Sequence, residues 1–330
     1  MGAGRGDPFT RDRAFAGMVA AIADGGDGAG APPRLVVLGD LFDFPAAGGG
    51  RPADDEATAV VRLERIAAAH PVALAALASY AAGGGAIDLL AGNHDADLVR
   101  PAVQARVRDL LGGPGVSVAF HPWILHVPGV LYAEHGHQHH DINAFAAPLK
   151  PWRPDAPGRL DLPPGAVAHG ARAFALLLRR GAAPRARARR AAYRSSVLPE
   201  AAGVLRLSPD ALRAIDAATP RGAPALAVRA ARRVTADGRH PAAAQRRAAL
   251  RIHRVLQREG RAVPCYAFGH THVAECRPVE PGHDRPVYVN PGTWSTLRRG
   301  GRPEQLAYVA IEPTASGPRA RLVPWTGPRR

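Results

Sequence analysis

The sequence predicts an α/β fold with mixed sheets, interrupted by a mainly helical segment near residues 151–260. Three short apolar runs each end in glycine and polar residues: "RLVVLGD" at 34–40, "AIDLLAGNHD" at 86–95 and "YAFGHTH" at 266–272. A short apolar run that stops at such a cluster is typical of a buried parallel strand followed by a loop. Segments with helical spacing lie between these runs, and this alternation indicates the α/β class.

The remaining elements follow from the same periodicities. Helices are predicted at 9–24 and at 57–82, where Pro71 divides the segment into two helices. The stretch 116–135 predicts two short strands, the second being "VLYAEHG" at 130–136. Three further strands are predicted at "PVYVNPGTW", "QLAYVAIEP" and "ARLVPW", in that order toward the end of the chain.

Charge divides the chain into three parts. Residues 151–260 contain 22 arginines and seven acidic residues, so the whole net charge of +15 lies there. We therefore assign 1–150 and 261–330 to a core domain and 151–260 to an arginine-rich, mainly helical insertion, a lid or cap. Such a segment favours contact with nucleic acid or an anionic membrane surface. Alternatively, the abundance of Ala, Gly, Pro and Arg is typical of GC-rich coding sequences, which raise the arginine content without a function.

Composition restricts the location of the protein. The longest apolar stretch, "PVALAALASYAA" at 71–82, is shorter than the ~18 residues of a membrane span. Cys265 and Cys276 are too few for a disulfide framework, so we expect buried thiols in a reducing compartment. The prediction is a cytoplasmic protein without a transmembrane segment. The segments "FALLLRR" at 174–180 and "IHRVLQR" at 252–258 leave a peripheral membrane contact open, although ordinary helix-packing faces are the preferred interpretation.

Polar residues follow four of the predicted strands and are expected to meet at one site, because ligands bind at the carboxyl ends of strands in α/β sheets. These residues are Asp40, the Asn93-His94-Asp95 cluster, His135, His270 and His272. Imidazoles with a carboxylate and a carboxamide suit Mn, Fe, Zn or Ni, and the set lacks the thiolates of a structural zinc site. One such cluster could be a simple turn, but the ordered series is specific.

The series "GDLFD" at 39–43, "GNHD" at 92–95, "HGHQHHD" at 135–141 and "GHTH" at 269–272 resembles the calcineurin-like metallophosphoesterase superfamily. The resemblance covers about residues 1–145 and 261–300, including "NPGTW" at 290–294. It implies a four-layer αββα sandwich that holds two divalent metal ions, with manganese favoured. The implied roles are Asp40 as bridging ligand, Asn93, His135 and His270 on the second metal, His272 on the first, His94 as general acid and Asp95 orienting its ring.

The implied chemistry is hydrolysis of a phosphoester or pyrophosphate bond in an anionic, phosphate-containing substrate. Two cations about 4 Å apart lower the pKa of a bridging water and clamp an in-line displacement at phosphorus. A histidine such as His94 has a pKa suited to general acid catalysis near neutrality. The alternative is an inactive relative that binds nucleic acid or another anionic surface through residues 151–260.

Other residues are expected to support the site rather than react. Asp43, His137, Asn143 and Asn290 are predicted to lie near the site or the substrate, whereas a solvated loop is the expectation for any single histidine that follows His135. The family has one further motif, Asp-x-His after its first strand, and this sequence lacks it. Because "MGAGRGDPFTRDRAF" at 1–15 resembles the continuation of that motif, we expect a truncated chain. The alternative is a degenerate relative, since Asp40 and His272 alone are too few ligands for the first metal.

Overall fold

The computed structural model describes residues 1–4, 7–25, 32–50, 52–140, 142–167, 193–218, 240–280, 282–296 and 306–327. Helices and strands are interspersed along these residues, and one of the sheets contains both parallel and antiparallel pairs. The predicted α/β class with mixed sheets is therefore confirmed.

The described residues contain ten strands in three sheets. The first sheet consists of β1 (Leu35–Val37), β2 (Ile87–Leu90) and β3 (Val118–His121), which pair in this order and are parallel. The second contains β4 (Ile124–Val127), β5 (Leu131–Glu134), β6 (Cys265–Phe268), β7 (Glu275–Pro278) and β8 (Val287–Asn290), in the order β4-β5-β6-β8-β7. An antiparallel pair follows, β9 (Ala307–Glu312) with β10 (Arg319–Pro324).

Nine α-helices lie in the described part of the chain: α1 (Asp12–Asp24), α2 (Phe44–Ala47), α3 (Glu56–Ala69), α4 (Pro71–Ala82), α5 (Pro101–Leu110), α6 (Pro164–Val167), α7 (Leu198–Val204), α8 (Pro209–Ala218) and α9 (His240–Arg258). The division at Pro71 is confirmed. Proline has no backbone N–H, so it ends the hydrogen bonding of one helix and is accommodated at the first position of the next.

Three hydrophobic clusters connect these elements. The first joins α1, α3, α4 and α5 to Ile87 and Leu89 of β2. The second contains Leu90, from the opposite face of β2, together with inner residues of the second sheet such as Leu131. The third joins the other face of the second sheet to α7, α8 and α9. Because successive side chains on a strand point to opposite faces, a strand such as β2 or β5 contributes to two clusters.

One strand prediction is wrong, and one strand was missed. The stretch 116–135 contains three strands instead of two, because β3 ends before Pro122 and the chain then passes to the second sheet as β4. Strand β7 was not predicted, since three of its four side chains are exposed and leave no apolar pattern. The expectation that both thiols are buried is confirmed for Cys265 and wrong for Cys276. Cys276 is exposed because it lies on β7, most of whose side chains face outward.

The described residues between 151 and 260 are largely helical, as predicted. The predicted face "IHRVLQR" is a packing face, because Ile252, Val255 and Leu256 are buried in the third cluster. The segment at 174–180 lies outside the described residues, and the boundaries at 150 and 260 stay predictions. None of the helices described is long and apolar enough to cross a membrane.

Candidate metal centre

Three of the predicted ligands meet where strands of both sheets end. Asp40 follows β1, His135 follows β5 and His270 follows β6. One ligand atom of each side chain lies within 4.8 Å of those of the other two, and no second such group of His, Cys, Asp or Glu occurs among the described residues. These three side chains can hold a metal ion.

The backbone is held in unusual conformations at this site. Asp40, His270 and His272 have φ angles of 55°, 63° and 60°. Residues with a Cβ atom seldom adopt the left-handed region, so the surrounding structure must enforce it. Such conformations cluster at functional sites.

Glycine is required beside two of the ligands. A Cβ atom on Gly92 would lie 2.1 Å from Oδ1 of Asp40, and one on Gly39 would lie 2.6 Å from Nδ1 of His135. Neither side chain can move away without leaving the group. The glycines in "GD" and "GN" therefore allow the ligands to approach one another.

His135 is oriented for an ion by its backbone contact. Its Nδ1 lies 2.6 Å from the carbonyl oxygen of Leu38, so the Nδ1 proton is donated there. Its other nitrogen, Nε2, faces Oδ2 of Asp40 at 3.0 Å. Burial lowers the pKa of this ring, but the charge of Asp40 outweighs burial and raises the pKa. A histidine that donates one N–H to a carbonyl and offers the other nitrogen is typical of metal sites.

Two further predicted ligands, Asn93 and His272, are not members of the three-residue group. Asn93 is buried, and its Oδ1 accepts no hydrogen bond from any described residue, which fits an oxygen reserved for a ligand. His272 lines a cavity of about 240 Å³ together with Asp40, His135 and His270.

His94 also lines this cavity, and its orientation corrects a prediction. Its Nδ1 lies 3.2 Å from Oδ1 of Asp43. The carboxylate of Asp95 instead accepts the N–H groups of Gly92 at 2.6 Å and Leu41 at 2.8 Å. The acid that contacts the ring is therefore Asp43, and Asp95 holds the two loops together.

The charges of the site separate its histidines into two kinds. Burial lowers the pKa of His94, but the charges of Asp40 and Asp43 outweigh it and raise the pKa to about 9. Burial and the charge of His135 hold the pKa values of His137 and His270 well below the usual range. His94 is thus protonated at neutral pH, whereas His137 and His270 are neutral.

The two central carboxylates differ as well. Burial alone would raise the pKa of Asp40, but His135 and His94 outweigh it and hold the pKa well below its ordinary value. Burial and the charge of Asp40 raise the pKa of Asp95 to about 6. Asp40 therefore stays anionic even in mild acid, where Asp95 becomes protonated, and it suits a cation.

The expectation of solvated histidines after His135 is wrong for those in the described residues. His137 and His139 are 2% and 3% exposed, and His140 is half-buried. The reason is a 3₁₀ turn, His137–His139, that lies between the rings of Phe145 and Phe268. His139 also contacts the buried carboxylate of Glu134.

The residues predicted to support the site make hydrogen bonds that hold its loops in place. The amide of Asn290 donates to the carbonyl oxygen of Gly269 at 2.7 Å, and its Oδ1 accepts the N–H of Gly292 at 2.9 Å. Asp43 caps α2 by accepting the N–H of Ala46 at 2.9 Å. Asn143 contacts His270 directly, with Nδ2 3.2 Å from Nε2.

Sequence reasoning missed Gln245 of α9. Its Oε1 accepts the hydroxyl of Tyr288 at 2.9 Å, and a Cβ atom on Gly136 would lie 2.2 Å from its Nε2. Its position in the arginine-rich segment, away from every motif, offered no signal. Helix α9 thus supports the loop that begins at His135.

No protein-family model matches the chain, and no curated protein matches it. Asp40, His135 and His270 form a group that can hold an ion, with an unsatisfied amide oxygen of Asn93 and a protonated His94 nearby.

Proposed function

We propose that the chain is a metal-dependent hydrolase of phosphoester or pyrophosphate bonds, similar to the calcineurin-like metallophosphoesterases. The observation that carries the proposal is the convergence of Asp40, His135 and His270 at a cavity that is also lined by His94. A carboxylate with two imidazoles suits a divalent transition metal, and a protonated histidine beside it suits an acid catalyst.

The corresponding fold is the four-layer αββα sandwich. Two observations support it: the first and third clusters each join helices to one face of a sheet, and the second cluster contains residues of both sheets. The four layers are then a layer of helices, the first sheet, the second sheet and a second layer of helices, in that order.

The residues take the following roles in this proposal. Asp40, Asn93, His135 and His270 hold one divalent ion, and Asp40 with His272 contributes to a second, manganese being the favoured metal. When bound, such ions activate water for in-line attack at phosphorus and neutralise the phosphoryl oxygens. His94 gives its proton to the leaving oxygen, and Asp43 holds the ring in place, 3.2 Å away.

The experiment compares Mn²⁺-loaded protein with its variants on three probes: 4-nitrophenyl phosphate, bis(4-nitrophenyl) phosphate and inorganic pyrophosphate. His94→Gln should lower kcat by about 10²–10⁴-fold, the usual contribution of a general acid. His270→Ala should abolish turnover and reduce the bound Mn²⁺ measured by elemental analysis. His283→Ala is the matched control, because His283 is exposed. A metal-loaded protein that is inert on all three probes would refute the proposal.

A second candidate function is binding of nucleic acid, and a row of arginines on α9 favours it. Arg247, Arg251, Arg254 and Arg258 are exposed. At ~3.6 residues per turn they lie within about 60° of the helix circumference and extend over about 16 Å. Of these, Arg254 has a carboxylate partner, Glu280 at 3.7 Å.

The side chains of this row favour contact with the phosphate groups of nucleic acid over contact with a lipid membrane. The large apolar side chains of α9 are buried in the third cluster or pack against it, so the exposed face offers no large apolar residue for insertion between lipids over residues 242–258, whose side chains the structure describes. Charge without apolar or aromatic side chains fits the phosphates of a duplex, whose contacts are independent of sequence.

The test measures duplex DNA binding in EDTA as a function of salt. Replacing the four arginines of the row with glutamine should reduce the slope of log K against log salt by about 0.9 for each phosphate that the protein no longer neutralises. The control replaces four exposed arginines elsewhere: Arg13, Arg159, Arg319 and Arg321. Equal losses of affinity in both variants, or binding to anionic vesicles and not to DNA, would exclude this function.

A further inference from the structure

The loops that carry His135 and His270 are joined by hydrogen bonds. The N–H of Gly269 donates to the carbonyl oxygen of His135 at 3.0 Å. Nδ2 of Asn290 donates to the carbonyl oxygen of Gly269 at 2.7 Å and to Oγ1 of Thr271 at 3.1 Å. These contacts involve His135 itself and both chain neighbours of His270. The distance between the two histidines therefore depends on how Asn290 and the loop after His135 are held.

One side chain, Gln245 of α9, reaches both parts of this junction. Its Oε1 accepts the hydroxyl of Tyr288 at 2.9 Å and lies 3.5 Å from Nδ2 of Asn290, and both partners belong to β8. Its Nε2 packs against Gly136, the residue after His135, where a Cβ atom would lie 2.2 Å away. Gln245 is 1% exposed. It is thus enclosed between β8 and the loop after His135.

The next residue anchors this part of α9 to the same sheet. Nη1 of Arg246 lies 2.8 Å and 3.0 Å from the two carboxylate oxygens of Glu275. Glu275 belongs to β7, the strand that pairs with β8. Two successive residues of α9 therefore contact two neighbouring strands, which fixes the depth at which Gln245 enters the site.

The amide of Gln245 is an unfavourable choice for stability alone. Its Nε2 is buried and has no hydrogen-bond partner among the described residues. A buried N–H without an acceptor costs free energy, whereas a pair of apolar side chains of similar shape at 245 and 288 would not. The residue type therefore favours a role in the site over a role in the core.

We propose that Gln245 is a positioning residue of the metal centre: from α9 it holds the loop after His135 against β8 and thereby sets the spacing of His135 and His270. The inference rests on the metal centre proposed above. It gives the arginine-rich segment a part in the site itself, separate from the arginines on the outer face of α9.

A pair of double variants tests the proposal. Gln245→Met/Tyr288→Phe removes the polar contact between α9 and β8 and leaves no hydroxyl without its acceptor. The matched control is His253→Leu/Tyr266→Phe, because Nδ1 of His253 contacts the hydroxyl of Tyr266 at 2.9 Å in a buried pair of the same helix and sheet. Tyr288→Phe and Tyr266→Phe alone are the milder versions of the two.

The first measurement uses protein in EDTA. Backbone ¹H–¹⁵N spectra report the amides of Gly269 and His270, which Gln245 reaches through Asn290. We expect both signals to move in Gln245→Met/Tyr288→Phe and to keep their wild-type positions in His253→Leu/Tyr266→Phe. Urea unfolding of the same samples measures the stability of each variant, so that a general loss of stability is recognised separately.

The second measurement is titration with Co²⁺ alone, followed by calorimetry and visible absorption. The Gln245 double variant should bind Co²⁺ about 10-fold more weakly than the wild type, the lower end of the effect of removing outer contacts of metal ligands. The visible spectrum of bound Co²⁺ should change with it, because that spectrum depends on the arrangement of the ligands. The His253 double variant should match the wild type in both respects.

Equal Co²⁺ affinities in the two double variants, or unmoved signals of Gly269 and His270, would overturn the proposal whatever the stabilities are. If the Gln245 double variant does not fold, the comparison of Tyr288→Phe with Tyr266→Phe decides in the same way. A wild type that binds no Co²⁺ would refute the metal centre. The signals in EDTA then decide separately whether Gln245 sets the spacing of the two loops.

Discussion

Asp40 and Asp95 each accept a backbone hydrogen bond from the loop that carries the other carboxylate. Oδ1 of Asp40 accepts the backbone N–H of His94 at 2.9 Å, and Oδ2 of Asp95 accepts the N–H of Leu41 at 2.8 Å. The two loops follow the parallel neighbours β1 and β2. One carboxylate of this reciprocal pair is thereby placed to bind an ion, and the other fixes the backbone that carries it.

Replacing Asp95 with alanine should destabilise the protein even without metal. The N–H groups of Leu41 and Gly92 would lose their acceptor in a buried position, at about 1–3 kcal/mol for each unsatisfied group. Urea unfolding in EDTA measures the free energy of unfolding, and Asp109→Ala, at an exposed position, is the control. Equal stability of the two variants would show that Asp95 does not hold the loops.

Replacing Asp43 with asparagine should lower the pKa of His94, which is about 9 in the metal-free protein. Asparagine keeps the cap of α2 but removes the charge beside the ring. Titration of the His94 ring followed by NMR in EDTA measures the effect. An unchanged pKa would mean that Asp43 does not stabilise the protonated ring.

The same pKa shift predicts how stability depends on pH. The folded pKa of His94 lies above the value of about 6.5 in unfolded chains, so its protonation stabilises the fold fully below pH ~6.5. That contribution is lost as the pH rises through about 9. The difference in unfolding free energy between wild type and His94→Gln should therefore decrease from pH 6.5 to 9, and a constant difference would contradict the assignment.

Replacing Gly92 with alanine should prevent metal binding. The new Cβ atom would lie 2.1 Å from Oδ1 of Asp40, so the carboxylate must leave its position. Bound Mn²⁺, measured by calorimetry, should fall below detection. Gly115→Ala is the control, since a Cβ atom there has open space. A Gly92→Ala variant with wild-type affinity would exclude Asp40 as a ligand.

Asp88 should make the fold sensitive to acid. Burial raises its pKa, but contacts with His121 and Arg34 outweigh burial and lower it below the ordinary value. A carboxylate with a lowered folded pKa stabilises the fold above its unfolded value of about 3.9, and this stabilisation is lost as the pH falls through the folded pKa. The stability difference between wild type and Asp88→Asn should shrink below pH ~4. A difference that does not change with pH would argue against an ionised Asp88.

Local periodicity predicted much of the fold and the site. Apolar runs marked β1, β2, β5 and β6, and the polar residues that follow them include Asp40, His135 and His270, which meet in space. Strand β7 was not predicted because an exposed edge strand has no apolar pattern. The third strand of 116–135 was not predicted because the chain changes sheet at Pro122, and a change of sheet leaves no local sequence pattern.

The sequence by itself determined the α/β class and the types of side chain that the strands carry to their carboxyl ends, because strand and helix periods are local. Only the tertiary structure decided which side chains touch. It brought Asp43 rather than Asp95 to the His94 ring and buried His137 and His139. It also set His140 and Asn143 against His270. The physical reason is that burial and hydrogen-bond partners depend on elements distant in the chain, whose packing no local pattern records.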